Sequence, residues 1–342
     1  LMVLFNKGPE FLMNKDVIPF IWNKIVIPVT TIVPVGSIFL SLIISYGLME
    51  FVGVFMRPVM KPIWKTPGRS AIDAVASFVG SYSLALLITN RVYKEGKYTT
   101  KEAIIIATGF STVSATFMVI VAKTLDLMDS WNLYFWLTVI VTFLVTAITA
   151  RIYPIRNKSD AYFENQEGDI EKDIPKDKFK VAFNEGMEVC ANSGSILENV
   201  IINLKDGVML AFNIGPSLMA VGTLGIVLAN HTPIFDWIGY LVYPFTLISG
   251  FEEPLLTAKA LALGIAEMFL PAVLVTKLSF EVKMLVAITC VSEVLFFSAS
   301  IPCMMATDIP ISFKDYLVIW FERVVLSILV SIPLIYLVKV LM

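Results

Sequence analysis

The chain has 342 residues, 57% of them hydrophobic and only 16% charged, with a mean hydropathy of +0.79. That composition excludes an ordinary soluble domain, and a net charge of -2 with no basic surface excludes a nucleic-acid partner. One histidine, His231, and three scattered cysteines, Cys190, Cys290 and Cys303, leave no His-rich metal site and no disulfide framework.

An all-α polytopic membrane protein is therefore expected, with the lipid bilayer as its first partner and no resident cofactor. Residues 1–27 mix charges with aromatic residues, as an N-terminal interfacial segment does. The chain starts without Met and in mid-pattern, so further residues are expected before Leu1. Residues 28–56 are long enough to span with tilt, loosened near Pro34 and Gly36. Arg57, Lys61, Lys65 and Arg69 then form a basic stretch, read as a cytoplasmic loop.

Residues 70–91 look at first like another span. The loop after them is also basic (Arg91, Lys94, Lys97, Lys101), and so is the hydrophilic loop 151–180. Two apolar spans, 103–122 and 132–150, separate those loops. For all three basic stretches to share the cytoplasmic face, 70–91 must enter and leave by one side. It is read as a re-entrant hairpin with Gly80 and Ser81 at its tip, the competing reading being a plain span with one basic loop outside.

The loop 151–180 divides the chain into a first repeat, 28–150, and a second, 181–342. The second opens on an amphipathic helix over 181–206, its Asn, Glu and Ser residues recurring at helical spacing. A span over 208–229 follows, broken near Asn213, Gly215 and Pro216, and then an aromatic segment, 233–251, read as interfacial or a short hairpin. A second hairpin lies at about 255–275, then an apolar run carrying Glu293, and a last span at about 316–340. Glu322 and Arg323 lie near the start of that span and are assigned to structure, snorkelling to the interface.

The halves resemble one another. An offset of 186 lays ASFVGSYSLALLIT, from Ala76, over ALGIAEMFLPAVLV, from Ala262. An offset of 179 lays the run from Thr100 over the run from Ser279. Ser81 then falls on Glu267, and Ser114 on Glu293. Three crossings per half make the repeats inverted, so the hairpin tips should meet near the midplane.

Glu267 and Glu293 are the two acids in mid-segment. Each costs roughly 2.5–3.5 kcal/mol at bilayer depth, so each is read as hydrated, paired, protonated or ion-bound. The expected substrate- or ion-binding set is Ser77, Ser81, Thr112, Ser114, Asn213, Lys259, Glu267 and Glu293. Serine stripes also serve as helix-packing glue. Lys259 is read as pairing with Glu252 or Glu253 or as snorkelling. Ser70 with Asp73, and Thr99 with Glu102, fit capping boxes.

The run TPGRSAIDAVASFVGSYSLALLITNRVYKEGKYTTKEAIIIATGFSTVSATFMVIVAK, residues 66–123, and YPFTLISGFEEPLLTAKALALG, from Tyr243, resemble the Gate or nucleoside-recognition domain membrane proteins of bacteria, in their YjiH-like branch. The resemblance implies two hairpins, a transport-like core shared distantly with concentrative nucleoside transporters, and a bacterial inner (cytoplasmic) membrane location. In those carriers a hairpin supplies polar residues and a later broken helix a Glu. Here the first hairpin offers serines instead, which leaves the solute open.

The expected function is secondary transport of a small polar organic solute (nucleoside-like, amino acid or small peptide) by alternating access. Na+ or H+ would be the coupling ion, with Na+ at Glu267 and Glu293. Gly96-Lys97 is followed by Tyr98, so no P-loop is present and the chain is not read as an enzyme. A channel-like or signalling membrane module without coupled uptake is the alternative, and a homo-oligomer is left open.

Overall fold

The computed structural model describes residues 8–14, 17–27, 30–31, 33–38, 46–79, 81–169 and 177–341. Helices and short turns make up the fold, and no strand occurs among the described residues. A lone antiparallel bridge joins Thr99 and Tyr162.

Before the first long helix the chain forms short turns, Glu10–Met13 and Ile18–Phe20, and a π-helical turn, Ile21–Val26. Val17, Ile21 and Val26 are buried, so this segment is more than an interfacial strip. Helix α1, Leu48–Trp64, runs through the expected boundary at residue 56. The basic stretch 57–69 is thus largely helical and not a free loop. Arg57 and Arg69 are buried in it, paired with Glu185 (3.4 Å) and Asp169 (2.9 Å). Gly47, which precedes α1, has a left-handed φ of 77° and lies so close to Gly186 that a Cβ would strike its carbonyl.

Helices α2, Ala71–Val79, and α3, Tyr82–Lys94, form a true hairpin. The Thr89 hydroxyl on α3 donates to Asp73 on α2 at 2.6 Å, which requires the chain to fold back about residue 81. Gly80 lies outside the described residues. Ser81 caps α3, its Oγ accepting from the Leu84 amide at 3.3 Å. Asp73 does not form the expected capping box: it is fully buried and accepts from Thr89 and from Tyr98 (2.8 Å). The box at Thr99 and Glu102 does form, and opens α4, Thr100–Gly109.

The expected span 103–122 is interrupted. After α4 the chain leaves helical geometry over Phe110–Ser114 and resumes as α5, Ala115–Thr124, capped by Ser114. The run GFSTVS explains the break, because hydroxyl side chains offer the backbone alternative partners. Helix α6, Trp131–Thr149, closes the first half.

In the second half the amphipathic segment 181–206 is two helices. α7, Lys178–Asn192, ends at Ser193–Gly194–Ser195, and α8, Ile196–Ser217, begins after them. A π-helical turn, Leu218–Gly222, joins α8 to α9, Thr223–His231. The aromatic segment 233–251 forms α10, Ile234–Ile248, packed along α11, Pro254–Leu263. Next come α12, Leu270–Leu274, α13, Phe280–Ser292, α14, Ser300–Met305, and α15, Phe313–Leu341. The Ser279 amide donates to the Glu252 carboxylate, so residues 252–279 fold back about 265–266. This hairpin is wider than the expected 255–275.

Among the described residues two helices are long and apolar enough to cross a bilayer, Met128–Thr149 and Phe313–Lys339, one closing each half. They pack on each other and on α13, forming the spine of the core. The halves also exchange aromatic contacts. Tyr82, at the first hairpin tip, meets Phe296 edge-on at 5.8 Å between centroids. Phe269, at the second tip, meets Phe117 edge-on at 6.2 Å. The offset of 179 that relates the halves carries Phe117 onto Phe296, and the hairpin offset of 186 carries Tyr82 onto Met268, the neighbour of Phe269.

Candidate functional site

The site is built where each hairpin tip meets the interrupted helix that follows it. Exposed backbone groups in a water-free interior must find partners, and the two breaks find them differently.

At the first break the partners are hydroxyls. Ser77, buried on α2, donates to the Thr112 carbonyl and lies 3.2 Å from the Thr112 hydroxyl. Thr146 on α6 lies 3.0 Å from the Gly109 carbonyl that ends α4, and 2.7 Å from its own helix at the Thr142 carbonyl. Ser81 and Ser114 act as helix caps flanking this region, each half-buried. Ser77 and Ser81, four residues apart, are expected to line one helix face, as are Thr108 and Thr112, but Thr108 sits on α4 and Thr112 in the break, and the hairpin turn separates Ser77 from Ser81.

At the second break the residues 293–299 pair with the hairpin tip through backbone. The Phe297 amide donates to the Ile265 carbonyl at 2.6 Å and the Ser298 amide to the Ala266 carbonyl at 2.9 Å. Glu267, 7% exposed, turns its Oε2 onto the amides of Phe269 (2.6 Å) and Leu270 (3.1 Å) and caps α12. Glu293, 1% exposed, packs on the hairpin at Gly264, where a Cβ would strike both carboxylate oxygens. Its Oε2 accepts from Trp320 Nε1 of α15 at 3.1 Å, while its Oε1 has no partner. Val294, the next residue, is held at φ 61°, a left-handed conformation that costs a β-branched residue about 1–3 kcal/mol.

Arg323 corrects the snorkelling expectation. It is fully buried, one turn beyond Trp320. Its Nε donates to the Ser292 carbonyl that ends α13 at 2.7 Å, and its Nη1 donates to Thr146 Oγ1 at 3.1 Å. Through Thr146 one guanidinium thus reaches both cut helix ends. A cation at two helix C-termini is favourably placed against their dipoles. Glu322 is half-buried beside it.

Lys259 stands apart from this crossing. Its ammonium pairs with Asp236 at 2.8 Å and lies over the Tyr240 ring on the α10 side of α11, not with Glu252 or Glu253. Asn213 lies on α8, and its side chain is outside the described residues. Cys290 and Cys303 are buried free thiols and Cys190 is half-buried. Among the described residues no cluster of three or more His, Cys, Asp and Glu could hold a metal ion.

Residue-by-residue inspection of the sequence misses Arg323, Trp320 and Thr146. A signal for the first two exists: Tyr316, Trp320, Arg323, Ser327 and Ser331 recur at helical spacing, and all five are buried. Ser327 donates to the Ser292 hydroxyl at 2.7 Å, so the stripe faces the break.

Fold and site together define a helical membrane protein with two hairpins seated on two interrupted helices. Residues 26–128 match the family model Gate, described as nucleoside recognition. An uncharacterised protein of Alkalihalophilus pseudofirmus, BpOF4_10220, is 31% identical over 331 residues, covering 96% of this chain and 71% of its own. The chain belongs to the Gate family. Two solved structures are also similar to it at 13% identity and a TM-score of 0.44. One is CNTnw in an inward-facing, substrate-bound state, matched over 97% of this chain and 82% of that one. The other is a doubly substituted CNTnw in an outward-facing state, matched over 90% and 74%.

Proposed function

We propose that this protein is a secondary transporter of a small polar organic solute, working by alternating access in the bacterial inner membrane. The observation that carries the reading is the second break: a wholly buried Glu293, with one oxygen unpartnered, sits between a hairpin tip and a spine helix. An ionisable group at such depth is functional by default. In this reading the hairpins enter from opposite faces and their tips, with Ser77, Ser81, Thr112 and Ser114 from one half and Glu267 and Glu293 from the other, surround the solute. Displacing a tip would break the Ile265–Phe297 and Ala266–Ser298 backbone bonds and uncover Glu293 to one face. Glu267 and Glu293 would carry the coupling cation, charged when sodium is bound and protonated when a proton is carried.

Counterflow in proteoliposomes tests this. Labelled nucleosides, amino acids and dipeptides are offered with and without sodium or a pH gradient. Saturable exchange that is lost in Glu293→Gln supports a carrier. Flux that never saturates supports a pore and rejects the reading.

A further inference from the structure

We propose that Glu293 and Arg323 are the two poles of a subsite for an organic zwitterion, a solute carrying an ammonium and a carboxylate, as an α-amino acid does. The inference rests on the transport reading and narrows its substrate class. Both groups are buried to within 1% and belong to one crossing, since Trp320 and Arg323 stand a turn apart on α15 and reach Glu293 and the adjoining Ser292 carbonyl.

Their opposite charges do not neutralise each other directly. Glu293 spends Oε2 on Trp320, and Arg323 spends Nε and Nη1 on Ser292 and Thr146. That leaves Glu293 Oε1 and Arg323 Nη2 each without a hydrogen-bond partner. A buried charge with an unused hydrogen-bonding valence is costly, and a nearby opposite charge that is not bonded to it offsets only part of that cost. The existing bonds anchor both groups, Glu293 Oε2 to Trp320 and Arg323 Nε and Nη1 to Ser292 and Thr146.

The free valences are complementary to a zwitterion. Oε1 is an acceptor suited to an ammonium, and Nη2 a donor suited to a carboxylate. A third buried orphan, the Ser298 hydroxyl, lies in the same break and can serve either pole. Gly264 lets the hairpin backbone pack directly on the Glu293 carboxylate.

The test is ligand-induced thermal stabilisation of the purified protein, with counterflow on the same material. The probes are the twenty L-amino acids, the N-acetyl and methyl ester derivatives of any that bind, and uridine and adenosine. At least one free amino acid should raise the unfolding temperature saturably. Capping either its ammonium or its carboxylate should weaken binding about tenfold or more, as should Glu293→Gln and Arg323→Lys. The derivatives are measured on the unmodified protein, so the outcome stands even where a variant fails to fold. Derivatives that bind as tightly as the free amino acid overturn the inference. Uridine or adenosine binding and exchanging while no amino acid does so overturns it too, and leaves the carrier reading standing. Neither class binding or exchanging overturns the inference, and the carrier reading falls with it when dipeptides also fail to exchange.

Discussion

The two halves of the molecule share a plan and differ in charge. In each, a helical hairpin folds back, its tip rests on a helix interrupted after about ten residues or a little more, and a long apolar helix closes the unit. In the first half Ser77 and Thr146 satisfy the interrupted backbone. In the second half backbone pairing, Glu293, Trp320 and Arg323 occupy the corresponding place. At the first break hydroxyls from α2 and α6 take up the freed carbonyls, whereas at the second Glu293 Oε1 and Arg323 Nη2 keep unused valences.

Arg323→Ala should be the most damaging change, because it strands Glu293 without a counter-charge and uncovers the Ser292 carbonyl. A loss of about 3–5 kcal/mol is expected, read as a large drop in unfolding temperature in detergent. Gly264→Ala should cost about 1–3 kcal/mol, since its methyl group must displace either the hairpin tip or Glu293. It should also depress exchange in proteoliposomes.

The counterpart rings offer a more discriminating comparison. Phe117→Leu and Phe296→Leu should each cost about 0.5–1.5 kcal/mol and by similar amounts. A loss confined to one of them would break the correspondence between the halves. Ser81→Ala removes the α3 cap and the contact with the Ser83 hydroxyl, and should lower stability by about 0.5 kcal/mol, visible as a small shift of the unfolding temperature.

Much of this plan was legible in the chain. The basic stretches on either side of residues 70–91 call for a segment that turns back, and the Thr89–Asp73 bond shows it doing so. The box at Thr99 and Glu102 could be read because capping is local. Interruptions within apolar runs were harder to see. The hydropathy of AIIIATGFSTVSATFMVIVA masks its hydroxyl run GFSTVS, and two partners of the freed carbonyls, Ser77 and Thr146, come from elsewhere in the chain. Arg323 illustrates the same limit. Its position near the start of an apolar helix fits snorkelling equally well, and only its packing against the cut end of α13 makes it interior. Asp73 matched a capping spacing but is claimed by Tyr98, a residue 25 positions away.

The account stands on two hairpins that enter the membrane from opposite faces. Single cysteines at Lys65, Lys94, Glu252 and Lys277, all exposed, can be introduced after Cys190→Ser removes the half-buried native thiol. They are then challenged in oriented vesicles with a membrane-impermeant thiol reagent. Lys65→Cys and Lys94→Cys should label together from one side, and Glu252→Cys and Lys277→Cys together from the other. Labelling of Lys65→Cys and Lys94→Cys from opposite sides would contradict it.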